Sequence, residues 1–116
     1  MKATKSVFFL VPGLFCMFFA VAGHASSYAK ECIMDSDYFV NFDLSVGDKA
    51  FWTTVKPASG ADASRSAMCS CAKAINRLQI QEYNERYPAA FLRGEDREGC
   101  RDYGDGGQSH KLYWTQ

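Results

Sequence analysis

Residues 38–55, YFVNFDLSVGDKAFWTTV, decide between the two folds open to this chain. Apolar side chains occupy every second position from Val40 to Val46, with polar residues between them. Strict alternation is typical of a strand that buries one face. Gly47-Asp48 then offers a two-residue turn of type II′, which prefers glycine in the first position. The stretch therefore predicts a β-hairpin.

Closure of that turn fixes the register of the predicted hairpin. The pairs on the mostly apolar face would be Val46–Lys49, Leu44–Phe51, Phe42–Thr53 and Val40–Val55. The pairs on the polar face would be Ser45–Ala50, Asp43–Trp52 and Asn41–Thr54. A single register thus separates an apolar face from a polar one, as a half-buried hairpin requires.

A helix over residues 46–55 is the alternative, because Ser45 and Asp48 match the serine-x-x-acid capping pattern. It would make the protein mostly α-helical. Phe, Trp, Thr and Val dominate this stretch, and they form strands more readily than helices. We therefore expect an α+β fold and keep the mostly α fold as the alternative.

A long amphipathic helix is predicted over residues 63–86, after a linker at 56–64 that contains proline and glycine. Asp62 or Ser64 can cap it. Its apolar face consists of Met68, Cys71, Ile75 and Leu78. The expected domain is thus one hairpin packed on one long helix. Beyond the helix we expect a polar loop with a flexible Gly-rich segment at 104–109, and a tail that is either a strand or a loose end.

The first 25 residues have the layout of a cleaved secretory signal peptide. A positive start at Lys2 and Lys5 precedes an apolar run over 7–22, and small residues stand at the −3 and −1 positions of a cleavage site after Ala25. That run is shorter than the roughly 20 apolar residues that span a bilayer. We expect cleavage, and a secreted or periplasmic protein.

Residues 26–116 would then form a single small domain of 91 residues, since 116 − 25 = 91. Loss of Lys2 and Lys5 leaves 11 basic and 13 acidic residues, a net charge near −2. No basic stripe is present, which argues against nucleic acid and against a membrane surface as partners once the signal peptide is removed.

Four cysteines remain after cleavage: Cys32, Cys69, Cys71 and Cys100. An even number in a short exported chain predicts a disulfide framework. Residues two apart on a helix point about 200° away from each other, so Cys69 and Cys71 should reach different partners. We expect Cys71–Cys100 with Cys32–Cys69, and the exchanged pairing remains open. The alternative function is a copper or thiol-redox site at this Cys-x-Cys pair.

No catalytic constellation is evident, and neither a cofactor nor a metal is expected. The single histidine that remains after cleavage, His110, lies in the Gly-rich tail, where we expect it to be solvated. The loop carboxylates lack apolar neighbours that would raise a pKa. The sequence therefore predicts a protein that is not an enzyme.

Aromatic residues are abundant for so short a chain, and tyrosine and tryptophan are common anchors of protein interfaces. The candidate interface residues are Trp52, Tyr83, Tyr87, Tyr113 and Trp114. We therefore expect a small exported, disulfide-stabilised binding protein, such as an inhibitor, whose partner is another exported protein. Its layout resembles that of bacterial periplasmic immunity proteins, and the resemblance is one of layout only.

Overall fold

A computed structural model describes residues 26–116, and their fold is α+β. The elements follow in the order α1 (26–34), β1 (Tyr38–Ser45), β2 (Ala50–Pro57), α2 (Arg65–Arg86), β3 (Arg93–Glu95), β4 (Cys100–Tyr103) and β5 (Gly107–Thr115). The predicted signal peptide, residues 1–25, lies outside the described residues. The α+β prediction is confirmed.

The hairpin forms with the predicted register, from Tyr38 opposite Pro57 to Ser45 opposite Ala50. The helix considered over 46–55 is wrong. The turn itself differs from the type II′ prediction, because its positive φ, 53°, belongs to Lys49 rather than to a glycine. The Lys49 N–H donates to the carbonyl of Val46 and closes a four-residue connection.

The sheet is larger than the predicted hairpin and is antiparallel throughout. β5 pairs with β2 on one side, and on the other side β3 and β4 pair with it end to end. This arrangement works because β5 has nine residues whereas β3 and β4 have three and four. The expected polar loop therefore contributes strands. Of the Gly-rich segment, residues 104–106 form a turn and 107–109 begin β5.

Helix α2 covers one face of the sheet. Ser64 is its N-cap, with Oγ accepting from the Ala67 N–H at 3.1 Å, and it ends before Tyr87-Pro88. Its buried side chains are Met68, Cys71, Ala72, Ile75, Asn76 and Leu78. The apolar ones among them pack with Val55 of β2 and with Ala29 and Cys32 of α1, so both helices lie on the same face.

The connection from α2 to β3 is held by a side-chain clasp. The Asn84 amide donates to the Leu92 carbonyl and accepts from the Leu92 N–H, both at 2.8 Å. The clasp supplies hydrogen-bond partners to both backbone groups of Leu92, as a neighbouring strand would. Within residues 26–116, neither helix is long and apolar enough to cross a membrane.

Candidate functional site

The cysteine framework differs from the pairing we preferred. Cys69 is bonded to Cys100, with their Cα atoms 5.9 Å apart, so the predicted Cys71–Cys100 and Cys32–Cys69 pairs are wrong. Cys69 lies on α2 and Cys100 begins β4, directly opposite His110 of β5 on the helix-covered side. The disulfide thus fastens the outer part of the sheet to the start of α2.

Cys32 and Cys71 are buried thiols in the core between the two helices. Burial raises the pKa of Cys71, and a hydrogen bond to Cys32 and the charge of Asp35 raise it further. A raised thiol pKa opposes thiolate formation, and thiolate is the form that binds metal or attacks a disulfide. Because Cys69 is already bonded, Cys69 and Cys71 do not form a chelating pair. Among residues 26–116, no three His, Cys, Asp or Glu side chains are grouped as metal ligands.

His110 is not solvated, contrary to the prediction. It lies in β5, faces α2 and is only 3% exposed. Its Nδ1 and its carbonyl oxygen both lie 2.9 Å from Nδ2 of Asn76. A carbonyl oxygen can only accept, so the Asn76 side-chain atom that faces it is the NH2 group. This group cannot accept a hydrogen bond, so it donates to Nδ1 as well. The proton of the histidine ring is therefore on Nε2.

Asp96 approaches the other ring nitrogen, with Oδ1 3.2 Å from Nε2 of His110. Within the described part of the chain, the Nε2–H group has no aligned hydrogen-bond acceptor, so its contact with Asp96 is electrostatic. Burial lowers the pKa of His110 and outweighs the raising effect of Asp96. The His110 ring is therefore neutral and buried, with the Asn76 amide bound at Nδ1. It is part of the core, and its side chain is not accessible to a substrate.

The five predicted interface residues lie on two sides of the sheet. Tyr83, Tyr87 and Trp114 lie on the helix side and cluster around Phe51, which is 6.0 Å from Tyr83 and 5.4 Å from Trp114 between ring centroids. Tyr83 and Tyr87 are 4.8 Å apart. Most of this group closes the end of the core. Trp52 and Tyr113 point to the other side of the sheet, by the alternation of side chains along β2 and β5.

That second side, the open face, has no described helix over it. Its central side chains are Trp52, Thr54 and Lys56 of β2 and Ser109, Lys111 and Tyr113 of β5. Phe39, Asn41 and Asp43 of β1 and Arg101 and Tyr103 of β4 extend it outward. Trp52 lies directly opposite Lys111. Two predicted anchors, Trp52 and Tyr113, thus lie on one surface.

Adjoining depressions run across the open face. One of about 370 Å³ and one of about 270 Å³ are both lined by Trp52, Thr54 and Tyr103. A third, of about 210 Å³, shares Ser109 and Lys111 with the first. Trp52 is half-buried, so part of its side chain is exposed in the groove and the rest contacts neighbouring residues. The result is a shallow groove across the sheet rather than an enclosed cavity.

Charged side chains at the rim of the groove are held by partners on this side. Lys111 donates to Asp48 at 2.8 Å, which lowers the pKa of Asp48 and raises that of Lys111. Tyr113 donates to Glu98 at 3.1 Å, and the Arg97 guanidinium lies 4.4 Å from its ring centroid. Such contacts hold these side chains in fixed rotamers.

Tyr103 and Lys56 were not predicted as part of the surface. The Lys56 Nζ lies 5.2 Å from the centroid of the Tyr103 ring, and Tyr103 is 48% exposed. Period-two alternation in the stretch from Cys100 to Thr115 could have revealed Tyr103, but the glycines at 104, 106 and 107 make that stretch resemble a loop. Lys56 would have followed from extending the predicted hairpin register to the pair Phe39–Lys56.

No protein-family model matches the chain, and no curated protein or solved structure shows significant similarity to it.

Proposed function

We propose that this chain is a small exported binding protein that engages another exported protein through the open face, as an inhibitor or immunity-type protein would. The observation that carries the proposal is the asymmetry of the sheet. The helices cover one side, and the other displays Trp52, Tyr103 and Tyr113 around a groove. Aromatic side chains offer large contact area at low conformational cost.

The electrostatics of the open face suit a protein partner better than a nucleic acid. Lys56, Lys111 and Arg101 are interspersed with Asp43 and Asp48 rather than gathered into a basic stripe. Mixed charge around an aromatic centre is the usual anatomy of a protein interface, in which the rim gives specificity and the centre gives affinity. Two of these charges, Lys111 and Asp48, neutralise each other.

The bracing of the fold also supports a binding role. The Cys69–Cys100 disulfide and the Asn76–His110 hydrogen bonds hold β4 and β5 to α2. These strands carry Tyr103, Lys111 and Tyr113, so the groove has a rigid base. A rigid surface loses little entropy when it binds.

A photo-crosslinking residue placed at Tyr103 tests the proposal, with Glu82 on the exposed side of α2 as the matched control site. The full chain would be expressed with its own leader in the producing organism. We expect a single adduct of one-to-one mass from position 103 and none from position 82. The partner, identified by mass spectrometry, would then be purified and titrated against the isolated protein.

Trp52→Ala provides the quantitative step. Truncation of a central aromatic anchor costs about 2 kcal/mol or more, so affinity for the purified partner should fall by about 30-fold. Tyr87→Ala, which removes a 50% exposed aromatic from the helix side, should leave affinity unchanged. Equal labelling from both sites, or equal affinity of the Trp52 variant and the native chain, would refute the proposal.

A further inference from the structure

The outer edge of β1 is unlike the opposite edge of the sheet. Within residues 26–116, the eight residues of β1 pair only with β2, and Asp43 is the one charged residue among them. The opposite edge is formed by the short strands β3 and β4, which carry several charges and are interrupted at 96–99. Short, charged and broken edges resist pairing with other chains, whereas long uncharged ones favour it.

The direction of the hydrogen bonds in β1 follows from the start of the hairpin. The Ala58 N–H donates to the Asp37 carbonyl at 2.8 Å, in the same register as the rest of the ladder. Hydrogen-bonded and non-hydrogen-bonded pairs alternate along an antiparallel ladder. Odd-numbered residues of β1 therefore bond to β2, whereas the backbone groups of Val40 and Phe42 point away from it.

Four residues of β1 direct their backbone groups away from β2: Tyr38, Val40, Phe42 and Leu44. The N–H groups of the first and the last of them already have partners. The Leu44 N–H donates to the Asp43 carboxylate at 2.7 Å, and the Tyr38 N–H donates to the Asp35 carbonyl at 3.1 Å. Both contacts agree with the outward direction of the even-numbered residues. The N–H groups that remain for a new strand are those of Val40 and Phe42.

We propose that β1 pairs with β1 of a second copy of this chain, antiparallel, about a two-fold axis through Asn41. Val40 then lies opposite Phe42 of the second copy, and each such pair exchanges two hydrogen bonds. Both N–H groups of both copies are used, and the bonds already made by Leu44 and Tyr38 stay intact. A two-fold axis is the usual symmetry of a homodimer.

The side chains are compatible with this register. Tyr38, Val40, Phe42 and Leu44 all face the helix side, so they would form one apolar row across both copies. Phe42 is 44% exposed in the single chain and would gain cover. Asp43 lies opposite Phe39 of the second copy. The two Asp43 residues are then about 13 Å apart along the strands, beyond the range of strong repulsion in physiological salt.

The paired strands would join two sheets into one, with both open faces on the same side. A contact of one strand on each copy buries less than the roughly 1,200 Å² of standard interfaces, so the dimer exchanges rapidly and forms at high micromolar concentration. This proposal does not depend on the foreign partner proposed above, since it concerns the edge of β1 rather than the groove.

Cysteine crosslinking tests the register directly. In Asn41→Cys the two new thiols face each other in a non-hydrogen-bonded pair, where Cα atoms are about 4.5 Å apart and a disulfide can form. In Phe39→Cys and Asp43→Cys, on the same face, the identical residues are about 13 Å apart. With oxidised glutathione as the oxidant, we expect Asn41→Cys to form a covalent dimer at least tenfold faster than either control.

Sedimentation of the unmodified chain supplies the second measurement, from about 10 µM to about 1 mM. We expect reversible dimers, and Phe42→Lys should weaken them at least tenfold by placing a positive charge of each copy beside the axis, opposite Val40 of the other copy. Phe91→Lys is the matched control, because Phe91 is 72% exposed and lies away from β1. A monomer at every concentration, or crosslinking as fast from positions 39 or 43 as from 41, would overturn the proposal.

Discussion

Asn76, in the middle of α2, donates from Nδ2 to both Nδ1 and the carbonyl oxygen of His110 on β5, each at 2.9 Å. Its Oδ1 accepts from the Thr53 hydroxyl at 2.7 Å and from the Gln79 amide at 3.0 Å. Both amide protons and both oxygen lone pairs are thus used. A single fully buried side chain therefore ties the helix to β2 and β5.

Asn76→Ala should lower the free energy of unfolding by about 2–4 kcal/mol, because it opens a cavity and leaves Thr53 and His110 without partners in the core. Urea denaturation at pH 7.5 measures this. Gln79→Ala is the matched control, one turn along the helix and only partly buried, and should cost about 1 kcal/mol or less. A loss for Asn76→Ala no larger than that of the control would contradict this account of the network.

Stability should fall as the pH drops below about 6.5. Burial lowers the pKa of His110 below its ordinary value, so the unfolded chain takes up a proton before the folded one does. A proton on Nδ1 would also face the donating amide of Asn76. The stabilisation is therefore complete above the unfolded pKa and is lost progressively between it and the lower folded pKa. Urea midpoints at pH 7.5, 6.5 and 5.5 would measure the slope.

His110→Gln should flatten that slope between pH 7.5 and 5.5, at some cost in absolute stability. The pKa of Asp96 is also lowered. Burial alone would raise it, but the Gly99 N–H, His110 and Lys73 outweigh that effect. Its contribution is present above pH 4 and disappears only below, as the folded carboxyl takes up its proton. An unchanged slope in His110→Gln would assign the pH dependence to other groups.

The hairpin and the long helix could be predicted because their patterns are local. Val40 to Val46 alternate strictly, and the predicted register of β1 and β2 is the one that forms. Ser64 caps α2, as expected for a serine that directly precedes a segment with helical apolar periodicity. Each of these features depends on neighbours in sequence, so the residues themselves carry the information.

β5 could not be predicted with the same ease, because its buried face is partly polar. Its inward residues include Gln108 and His110, whose burial depends on partners such as Asn76 that lie 34 positions away from His110. Hydrophobic periodicity does not register a buried polar residue. The cysteine pairing was undetermined for a similar reason, since four cysteines permit three connectivities and only the packing of α1 and β4 against α2 selects one.

Cys32 and Cys71 should form a second disulfide when the chain is produced in an oxidising compartment. The two buried side chains already contact each other. During folding, before burial raises the pKa of Cys71, thiol–disulfide exchange with an oxidised disulfide catalyst removes their two protons and two electrons. Intact mass before and after reduction should then differ by four hydrogens, with no thiol alkylated in denaturant before reduction. Two alkylated thiols would show that only Cys69–Cys100 forms.

The second disulfide would close a loop of about 40 residues and stabilise the fold by roughly 3–4 kcal/mol on the loop-entropy model. Cys32→Ser with Cys71→Ser removes it while Cys69–Cys100 remains. We expect the double variant to unfold at lower urea, with an unchanged Cys69–Cys100 crosslink on peptide mapping. Equal midpoints for the double variant and the oxidised parent would contradict a stabilising second bridge.

Gly107→Ala should destabilise the sheet where β5 enters between β2 and β4. A Cβ at this position would lie 2.8 Å from the Val55 carbonyl oxygen and 3.1 Å from the Tyr103 carbonyl oxygen, and strand backbone cannot move away as a flexible side chain can. Overpacking of this kind costs about 1–3 kcal/mol, which corresponds to a fall in Tm of roughly 5 °C or more. Gly104→Ala is the matched control, because a Cβ there meets nothing within 4 Å. Its Tm should stay within about 2 °C of the parent, and equal Tm values for the two variants would show that the strands at Gly107 are less closely packed than described.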